Sequence, residues 1–361
     1  MKAPVMKPAI SLALCLALGA PAYAQSPPQV DPDGTVHADV TVPPSEFLSP
    51  QARAALVARL TAPAAPMITG SDFVTSARQT SDAASRITIA KWRAIYPVRI
   101  DPQTIGGVMT DVVTPAAGVA PENRHRVLFD LHGGGFFTGA RLGGQQEAIP
   151  VAGRGRISVV AVDYRLAPEN VFPAASEDVA RVYRALLKDH KPGEIGIYGC
   201  SAGGALVAQS VAWFQAHQLP APGAIGVFCS GAMPRFWYGG DSFAVTPMMN
   251  KRVQANPAQL KKGAGSLYLA GAKSDDPLVA PGAFPDVLAR FPPTLIITGT
   301  RDTSLSNALV TNARLLDAGV ETQLFVEEGL GHGEFNEIPG SPEADQAYTV
   351  IWRFFDKHLS K

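Results

Sequence analysis

The residues best suited to chemistry are a serine, an aspartate and a histidine that follow one another in this order along the chain. Ser201 lies in Gly199-Cys200-Ser201-Ala202-Gly203, a G-x-S-x-G pattern that typically lifts a serine oxygen out of a strand end into a cleft. Asp302 and His332 come later, each just past an apolar run. A serine attacks a carbonyl carbon when a neutral histidine takes its proton and a carboxylate fixes the histidine tautomer. The order predicts Ser201 as nucleophile, His332 as base and Asp302 as the acid that supports it.

Other carboxylates compete with Asp302 for the role of the acid. Three aspartates lie between the serine and the histidine without directly following an apolar run, namely Asp275, Asp276 and Asp286. Glu328 and Glu334 are close to His332 in sequence, on the same expected loop. A carboxylate so near in sequence rarely has the freedom to face the ring, so we expect Asp302 to be the partner of His332.

A second glycine-rich turn precedes the serine. His132-Gly133-Gly134-Gly135 ends an apolar run over residues 127–131. Backbone N–H groups of such a turn stabilise the oxyanion that forms when a serine attacks a carbonyl. Glycine suits this position because a Cβ would block the close approach of the substrate. We expect the N–H groups of Gly133 and Gly134, with that of Ala202 at the start of the next helix, to form an oxyanion hole.

The elements that must position these residues form an alternating pattern of strands and helices. The strand-length runs are apolar on both faces and are separated by helix-length segments; they span residues 127–131, 158–162, 195–198, 224–228, 294–297 and 322–326. Such runs predict a parallel sheet covered by helices on both faces. Residues 96–100 and 108–113 flank a Gly106-Gly107 turn and predict an antiparallel pair. Ligands bind beyond the carboxyl ends of parallel strands, where the motifs lie.

The amino terminus has the pattern of an export signal. Lys2 and Lys7 precede a short apolar run over residues 10–20, and Ala22-Tyr23-Ala24 supplies the small-x-small sequence that signal peptidase recognises. The sequence predicts a signal peptide over residues 1–24, cleaved after Ala24, and an exported product that is periplasmic or secreted. The apolar run is too short to span a bilayer, so we expect no stable membrane insertion.

The rest of the chain divides into three segments. Residues 25–48 are rich in Pro, Asp and Gly and are expected to form a flexible tether. Residues 49–92 are expected to form N-terminal cap helices, the first of which begins with Ser49 as N-cap and Pro50 at its first position and places Leu56, Val57 and Leu60 on one face. Residues 93–361 form the predicted catalytic domain, with an insertion at about 231–290 that helps to cover the site.

Charge and motif content exclude other classes of function. The chain has 361 residues and a formal net charge of +0, so no nucleic-acid partner is expected. It has no phosphate-binding G-x-x-x-x-G-K-[ST] loop, no H-E-x-x-H and no paired C-x-x-C. We therefore expect no cofactor and no metal. The expected partner is a small-molecule ester or lactone, and the oligomeric state stays open.

Two cysteines lie outside the predicted signal peptide, Cys200 and Cys229. Both lie at the ends of runs that are expected to be neighbouring strands. A disulfide between them is possible in an oxidising compartment, whereas unpaired cysteines are among the most buried residue types. The sequence favours two small buried thiols and leaves a bridge open.

With these motifs the chain resembles the hormone-sensitive-lipase-like branch of the α/β-hydrolases, a group of bacterial esterases and lipases. The resemblance rests on His132-Gly133-Gly134-Gly135-Phe136, Asp163-Tyr164-Arg165-Leu166-Ala167-Pro168-Glu169, Phe172-Pro173-Ala174-Ala175, Gly199-Cys200-Ser201-Ala202-Gly203-Gly204, Asp276-Pro277-Leu278 and the surroundings of Asp302 and His332. It implies an α/β-hydrolase fold, a mostly parallel eight-stranded sheet with helices on both faces, and a cap from the N-terminal helices plus the insertion. It also implies the hydrolysis of carboxylic esters, often with short acyl groups.

Two residues depart from the pattern of that family. Cys200 stands where the residue before the nucleophile is often Asp, and Glu334 stands where many members have an apolar or aromatic residue. A second polar group at the mouth of the site would alter the choice of substrate. The preferred acyl length is therefore left open.

These features predict an exported serine carboxylesterase that hydrolyses short-to-medium acyl esters through an acyl-enzyme on Ser201. Two close alternatives are a lactone hydrolase, which uses the same triad on a cyclic ester, and an acyltransferase, in which an alcohol or amine replaces water. A non-catalytic binding protein on the same scaffold is the alternative from another class. The intact Ser201, Asp302 and His332, together with the glycine turn, argue against it.

Overall fold

The computed structural model describes residues 28–38, 40–63, 72–233, 240–250 and 265–360, which divide into two compact units, Met1–Pro43 and Pro44–Lys361. In the first unit two short strands, β1 (Gln29–Val30) and β2 (Val36–His37), pair antiparallel. The predicted signal peptide lies outside the described residues. All elements introduced below belong to the second unit.

An eight-stranded sheet forms the centre of the second unit. In chain order its strands are β3 (Val98–Ile105), β4 (Val108–Pro115), β5 (Val127–Leu131), β6 (Ser158–Val162), β7 (Ile195–Cys200), β8 (Ala224–Phe228), β9 (Thr294–Arg301) and β10 (Thr322–Gly331). Their order across the sheet is β10-β9-β8-β7-β5-β6-β4-β3. The strands from β5 to β10 pair in parallel, and β4 pairs antiparallel with both β3 and β6. The predicted mostly parallel sheet with an opening antiparallel pair is confirmed.

Helices cover both faces of this sheet. The described helices are α1 (Pro50–Thr61), α2 (Phe73–Ile95), α3 (Leu142–Gly155), α4 (Ala174–Leu186), α5 (Ala202–Ala216), α6 (Asp241–Asn250), α7 (Gly265–Tyr268), α8 (Pro285–Leu288), α9 (Leu305–Asp317) and α10 (Pro342–His358). Leu128 and Phe129, adjacent in β5, belong to different apolar clusters, because alternate side chains of a strand point to opposite faces. Leu128 packs in the cluster that includes residues of α3 and α10, and Phe129 in the one that includes residues of α4 and α5.

Helix α1 begins as its sequence predicts. The Ser49 hydroxyl accepts a hydrogen bond from the N–H of Ala52, and Pro50 occupies the first helical turn. Leu56 is buried, whereas Val57 is 42% exposed. The expectation for Val57 is therefore wrong, because neighbouring helical residues point about 100° apart and only the Leu56 direction faces the core.

Helix α2 is anchored to loops beside the predicted catalytic motifs. The Arg78 Nε donates to the carbonyl oxygen of Phe137 at 2.8 Å, and its guanidinium forms an ion pair with Glu169. Near the other end of the helix, the indole N–H of Trp92 donates to the carbonyl oxygen of Asn336 at 3.1 Å. These bonds hold α2 across the loops that carry the glycine turn and the histidine.

The predicted insertion is described only in part. Among the described residues of 231–290, the regular elements are α6, α7, a 3-10 turn at Pro281–Ala283 and α8. Residues 234–239 and 251–264 lie outside the described part of the chain. No helix in the described ranges has the length and apolar character needed to cross a bilayer.

The sharp turn between β7 and α5 depends on a close approach of backbone to backbone. A Cβ added to Gly203 would overlap the carbonyl oxygen of Leu131 at the end of β5, and one added to Gly199 would meet the same oxygen. The start of α5 is thus packed directly against the neighbouring strand. Only glycine permits this contact, and the contact fixes the position of Ser201 between the two elements.

We expect Gly203→Ala to lower the free energy of unfolding by about 3 kcal/mol or more, because a backbone oxygen, unlike a side chain, has no rotamer that relieves the overlap. Urea unfolding followed by circular dichroism measures the change. Gly319→Ala is the control, since Gly319 has φ +77° but an added Cβ meets nothing within 4 Å. That control measures the cost of backbone strain alone, about 1 kcal/mol, whereas Gly203 lacks a positive φ and its loss comes from the contact. Equal losses in the two variants would contradict the role given to the contact at Leu131.

Candidate catalytic site

Ser201 occupies the turn between β7 and α5 in a conformation that is rare for a residue with a Cβ. Its backbone has φ +62° and ψ −121°, and its N–H donates to the carbonyl oxygen of Phe228 at 2.8 Å. Strain of this kind costs about 1–3 kcal/mol and persists only where the surrounding structure enforces it. Here the contacts of Gly199 and Gly203 with β5 enforce it. The turn holds the Ser201 hydroxyl at the carboxyl end of the sheet.

The three residues predicted for nucleophilic catalysis come together at this end. The Ser201 Oγ lies 2.8 Å from the His332 Nε2, and the His332 Nδ1 lies 2.7 Å from the Asp302 Oδ1. Asp302 directly follows β9, and His332 directly follows β10. With Nδ1–H donating to the carboxylate, Nε2 is left to accept the serine proton. This is the hydrogen-bond arrangement that general-base activation of a serine requires.

Asp302 is a buried carboxylate with three groups of donors around it. Its Oδ1 accepts from the backbone N–H of Ser304 at 2.8 Å as well as from His332, and its Oδ2 accepts from the Thr298 hydroxyl at 3.0 Å. Burial raises the pKa of Asp302, but the charge and hydrogen bond of His332 and the bonds from Ser304 and Thr298 outweigh it, so that the pKa lies below its usual value. The carboxylate therefore stays ionised and holds the imidazole in place.

His132 has a structural role in the glycine turn. Its Nδ1 lies 2.7 Å from the carbonyl oxygen of Gly133, and its ring stacks on that of Tyr164 with centroids 4.3 Å apart. Burial lowers the pKa of His132 to about 4, so the ring is neutral. The Tyr164 hydroxyl donates to the His132 carbonyl oxygen at 2.6 Å, which links the Asp163–Glu169 motif to the turn.

The oxyanion-hole prediction needs a correction at Gly133. Its N–H donates to the Glu147 Oε1 of α3 at 2.9 Å and is not available to a substrate oxygen while this bond is intact. Gly134 lines the cavity above Ser201. Within the described residues, the N–H groups of Gly134 and the following Gly135 donate to no protein acceptor. Ala202 is the first residue of α5, so its N–H is one of the free donors at a helix start. The candidate hole thus moves to Gly134, Gly135 and Ala202.

A cavity of about 980 Å³ opens above Ser201 and His332. Its wall on the side of α2 consists of Phe73, Ser76, Ala77, Thr80, Ser81, Ala84, Ser85, Ile87 and Thr88. The opposite wall includes Gly134, Phe137, Gln146 and Asn336. The predicted cap therefore supplies one wall of the cavity through α2.

Glu334 is not at the mouth of the site, although the sequence led us to expect it there. It is buried, and its Oε2 accepts from the backbone N–H of Gly331 at 2.7 Å and pairs with the Arg59 Nη2 of α1 at 3.1 Å. Gly331 immediately precedes His332. The departure from the family pattern therefore fastens the histidine loop to α1, and the expectation that Glu334 acts on substrate choice at the mouth is corrected.

Cys200 and Cys229 are both free and buried, as the sequence favoured. The thiol of Cys200 interacts with that of Cys229, and this contact together with burial raises the pKa of Cys200. The Cys229 sulfur accepts from the N–H of Gly333 at 3.2 Å. The Cys229 thiol thus contacts the loop that carries His332. In the described ranges, no three His, Cys, Asp or Glu side chains form a group that could hold a metal ion.

Three residues that support the site were not found from the sequence. Thr298, Glu147 and Arg59 contact Asp302, Gly133 and Glu334, respectively. For Glu147 a signal existed, because it is a lone carboxylate at the start of an apolar stretch of α3. For Arg59 there was none, since its partner is separated from it by most of the chain.

We expect Asp302→Asn to lower kcat for ester hydrolysis by about 10⁴-fold, because the amide favours the wrong tautomer of His332 while leaving its position unchanged. Steady-state kinetics on a p-nitrophenyl ester measures this. Thr298→Val removes one donor to the same carboxylate and is the graded control, with a loss of about tenfold or less. Losses of similar size in both variants would argue against Asp302 as the residue that sets the tautomer.

We expect Arg59→Ala to lower the free energy of unfolding by about 1–3 kcal/mol, because it leaves the buried Glu334 with the Gly331 N–H as its one described donor. The same variant loosens the loop of His332 and is expected to reduce kcat. Thermal unfolding and ester kinetics give the two readings. Lys357→Ala removes an exposed ion pair with Glu321 and should change neither. An unchanged melting temperature for Arg59→Ala would rule out the fastening role.

Comparisons with known proteins show the family of the chain. A family model described as alpha/beta hydrolase fold matches residues 128–336. An acetyl-hydrolase of Streptomyces hygroscopicus is 30% identical over 255 residues, which is 70% of this chain and 81% of that protein. An esterase of Acinetobacter venetianus is 28% identical over 266 residues, 71% of this chain and 82% of that protein.

The fold of the chain is also similar to solved structures of esterases. One esterase crystal structure has 29% sequence identity and a TM-score of 0.78, and the match covers 89% of this chain and 97% of the esterase chain. The crystal structure of an esterase from the bacterial hormone-sensitive lipase family, 25% identical, has a TM-score of 0.71 and covers 86% and 99%. The chain therefore belongs to the α/β-hydrolase family, in its hormone-sensitive-lipase-like branch of bacterial esterases, and is a serine hydrolase that acts on carboxylic ester bonds.

Proposed function

We propose that this enzyme is an exported carboxylesterase that hydrolyses short-to-medium acyl esters through an acyl-enzyme on Ser201. The observation that carries the proposal is the continuous hydrogen-bond path from the Ser201 Oγ through His332 to Asp302, at 2.8 and 2.7 Å, on the floor of an open cavity. The two relatives described as an acetyl-hydrolase and an esterase support ester chemistry. Export is supported by the signal pattern of the first 24 residues.

In the first half of the reaction, the Ser201 Oγ attacks the ester carbonyl carbon while its proton passes to the His332 Nε2. The ionised Asp302 stabilises the imidazolium that forms. The carbonyl oxygen becomes an oxyanion and accepts hydrogen bonds from the N–H groups of Gly134, Gly135 and Ala202. The His332 Nε2–H then donates its proton to the leaving alkoxide oxygen, and the alcohol departs from the acyl-enzyme.

In the second half, a water molecule takes the place of the alcohol. The His332 Nε2 accepts a proton from the water as its oxygen attacks the acyl carbon, and the same oxyanion hole stabilises the second tetrahedral intermediate. Collapse breaks the bond to the Ser201 Oγ, which recovers its proton from His332. A carboxylic acid leaves, and no cofactor enters the balance of the reaction.

The cavity admits a small ester in full, since its volume of about 980 Å³ lies at the upper end of the range for ligand sites. The preference for short acyl groups comes from the polarity of its α2 wall. Five residues of the α2 wall carry hydroxyl groups, Ser76, Thr80, Ser81, Ser85 and Thr88. A long alkyl chain along this wall would desolvate hydroxyls without replacing their hydrogen bonds. Short and medium acyl groups avoid that cost.

We expect Ser201→Ala to lower kcat on p-nitrophenyl acetate and butyrate by about 10⁶-fold, because the triad acts as a unit. The wild-type rate should fall along the series from butyrate to palmitate. Ser210→Ala, a buried serine on the same helix, is the control and should keep the wild-type rate. Near-wild-type turnover by Ser201→Ala would refute the assignment of the nucleophile.

Two further arms of this experiment separate the alternatives. A panel of lactones measured beside the esters identifies a lactone hydrolase if the lactones have the higher kcat/KM. An added alcohol that diverts the acyl group from water identifies an acyltransferase. Activity of the full-length chain in the periplasmic rather than the cytosolic fraction supports export, and activity confined to the cytosol contradicts it.

A further inference from the structure

Glu147 is a buried carboxyl group that the reaction itself does not use. It lies on α3, is 9% exposed, and faces the two chain segments that build the oxyanion hole. Its Oε1 accepts from the N–H of Gly133, the residue before Gly134, at 2.9 Å. A Cβ added to Gly133 would lie 3.4 Å from the Glu147 Oε1 and 3.4 Å from the Ser201 Cβ, so this carboxyl group lies beside the nucleophile turn. One side chain thus binds the glycine turn at the point where that turn meets the nucleophile turn.

Two other hydrogen bonds hold the glycine turn. The Tyr164 hydroxyl holds the glycine turn at the His132 carbonyl oxygen, and the N–H of Thr138 holds it at the carbonyl oxygen of Gly134. Neither bond reaches the nucleophile turn. The backbone contact of Gly203 with Leu131 fixes the start of α5 against β5, and the bond from Gly133 to Glu147 holds the glycine turn beside that start.

The surroundings of Glu147 favour a role as hydrogen-bond acceptor rather than proton carrier. The Ser201 Oγ is already engaged by His332, and the Glu147 Oε1 by Gly133. Burial raises the pKa of Glu147 to about 8, and the N–H groups of Gly133 and Cys200 act in the opposite direction. The neighbouring Asp130 is buried, and within the described residues neither of its carboxyl oxygens has a hydrogen-bond partner. Buried polar groups need hydrogen-bond partners, and the Glu147 carboxyl group supplies an acceptor for the backbone N–H of Gly133.

We propose that Glu147 is a positioning residue for the oxyanion hole, which accepts the N–H of Gly133 and so holds the glycine turn where Gly134 and Ala202 converge on one substrate oxygen. This inference rests on the proposed function. Donors of an oxyanion hole must lie about 2.7–3.1 Å from the position that the oxyanion occupies. Loss of the bond from Gly133 should therefore weaken transition-state binding more than substrate binding.

The test compares Glu147→Met, which removes the acceptor at nearly constant volume, with Glu147→Gln, which keeps one acceptor oxygen for Gly133. We expect Glu147→Met to lower kcat on p-nitrophenyl butyrate by about 100-fold with KM changed by less than about threefold. The affinity for a trifluoromethyl ketone, which forms an oxyanion on the serine, should fall by the same factor as kcat. Glu147→Gln should recover at least about tenfold of the lost rate, because its amide oxygen still accepts from Gly133.

Glu194 offers a matched control for the cost of removing a buried acceptor. It is also 9% exposed and accepts the backbone N–H of Lys191 at 2.7 Å, at the opposite end of β7 from Ser201. Glu194→Met should lower the melting temperature by an amount similar to Glu147→Met and leave kcat and ketone affinity unchanged. The difference between the two variants is the effect on the site.

Three outcomes would overturn the inference. One is a Glu147→Met variant whose kcat stays within about threefold of wild type. Another is a loss of kcat without loss of ketone affinity, since the defect would then lie outside the oxyanion hole. The third is a Gln variant as impaired as Met. In all of these the wild type is active and labelled at Ser201 by an organophosphonate. An inactive, unlabelled wild type would instead refute the proposed function and with it this inference.

Discussion

The site depends on one steric constraint, the left-handed backbone of Ser201 at the turn between β7 and α5. A residue with a Cβ adopts this conformation only where the surrounding structure enforces it. Here β5 enforces it, because its Leu131 carbonyl oxygen packs against Gly199 and Gly203. The sheet must therefore be parallel and correctly ordered around β5 and β7 before the serine can point into the cavity. The free energy gained by packing the core therefore offsets the conformational strain at Ser201.

Besides the strained turn, the charge states of the buried groups around Ser201 determine whether the site can react. Asp302 is buried and yet remains ionised, because His332, Ser304 and Thr298 surround it with donors. His132 is buried and neutral, so it adds no charge that would compete with the triad. Asp302 thus supplies the negative charge that the histidine needs. Developing positive charge on His332 and negative charge on the substrate oxygen both meet fixed partners, which avoids reorganisation during the reaction.

Sequence reasoning reached the fold and the triad because their signals are local. Each strand run carries its own apolar pattern, and Ser201, Asp302 and His332 each follow such a run. It failed where a group's direction depends on a distant element. The N–H of Gly133 points to Glu147 on α3 and not to the substrate, and the side chain of Glu334 points to Arg59 on α1 and not to the mouth. Neither direction is encoded in the motif that contains the residue.

Contacts between elements that are distant in sequence also define the role of the N-terminal helices α1 and α2. A cap that only covered the cavity would need apolar contacts at its rim and little else. Instead, Arg59 of α1 pairs with Glu334, two residues after His332. Arg78 and Trp92 of α2 donate to the loops after the glycine turn and after His332. Each of these bonds ends on a segment that must not move when charge develops on the triad. The helices that precede the sheet therefore shape the cavity and also brace the residues that react beneath it.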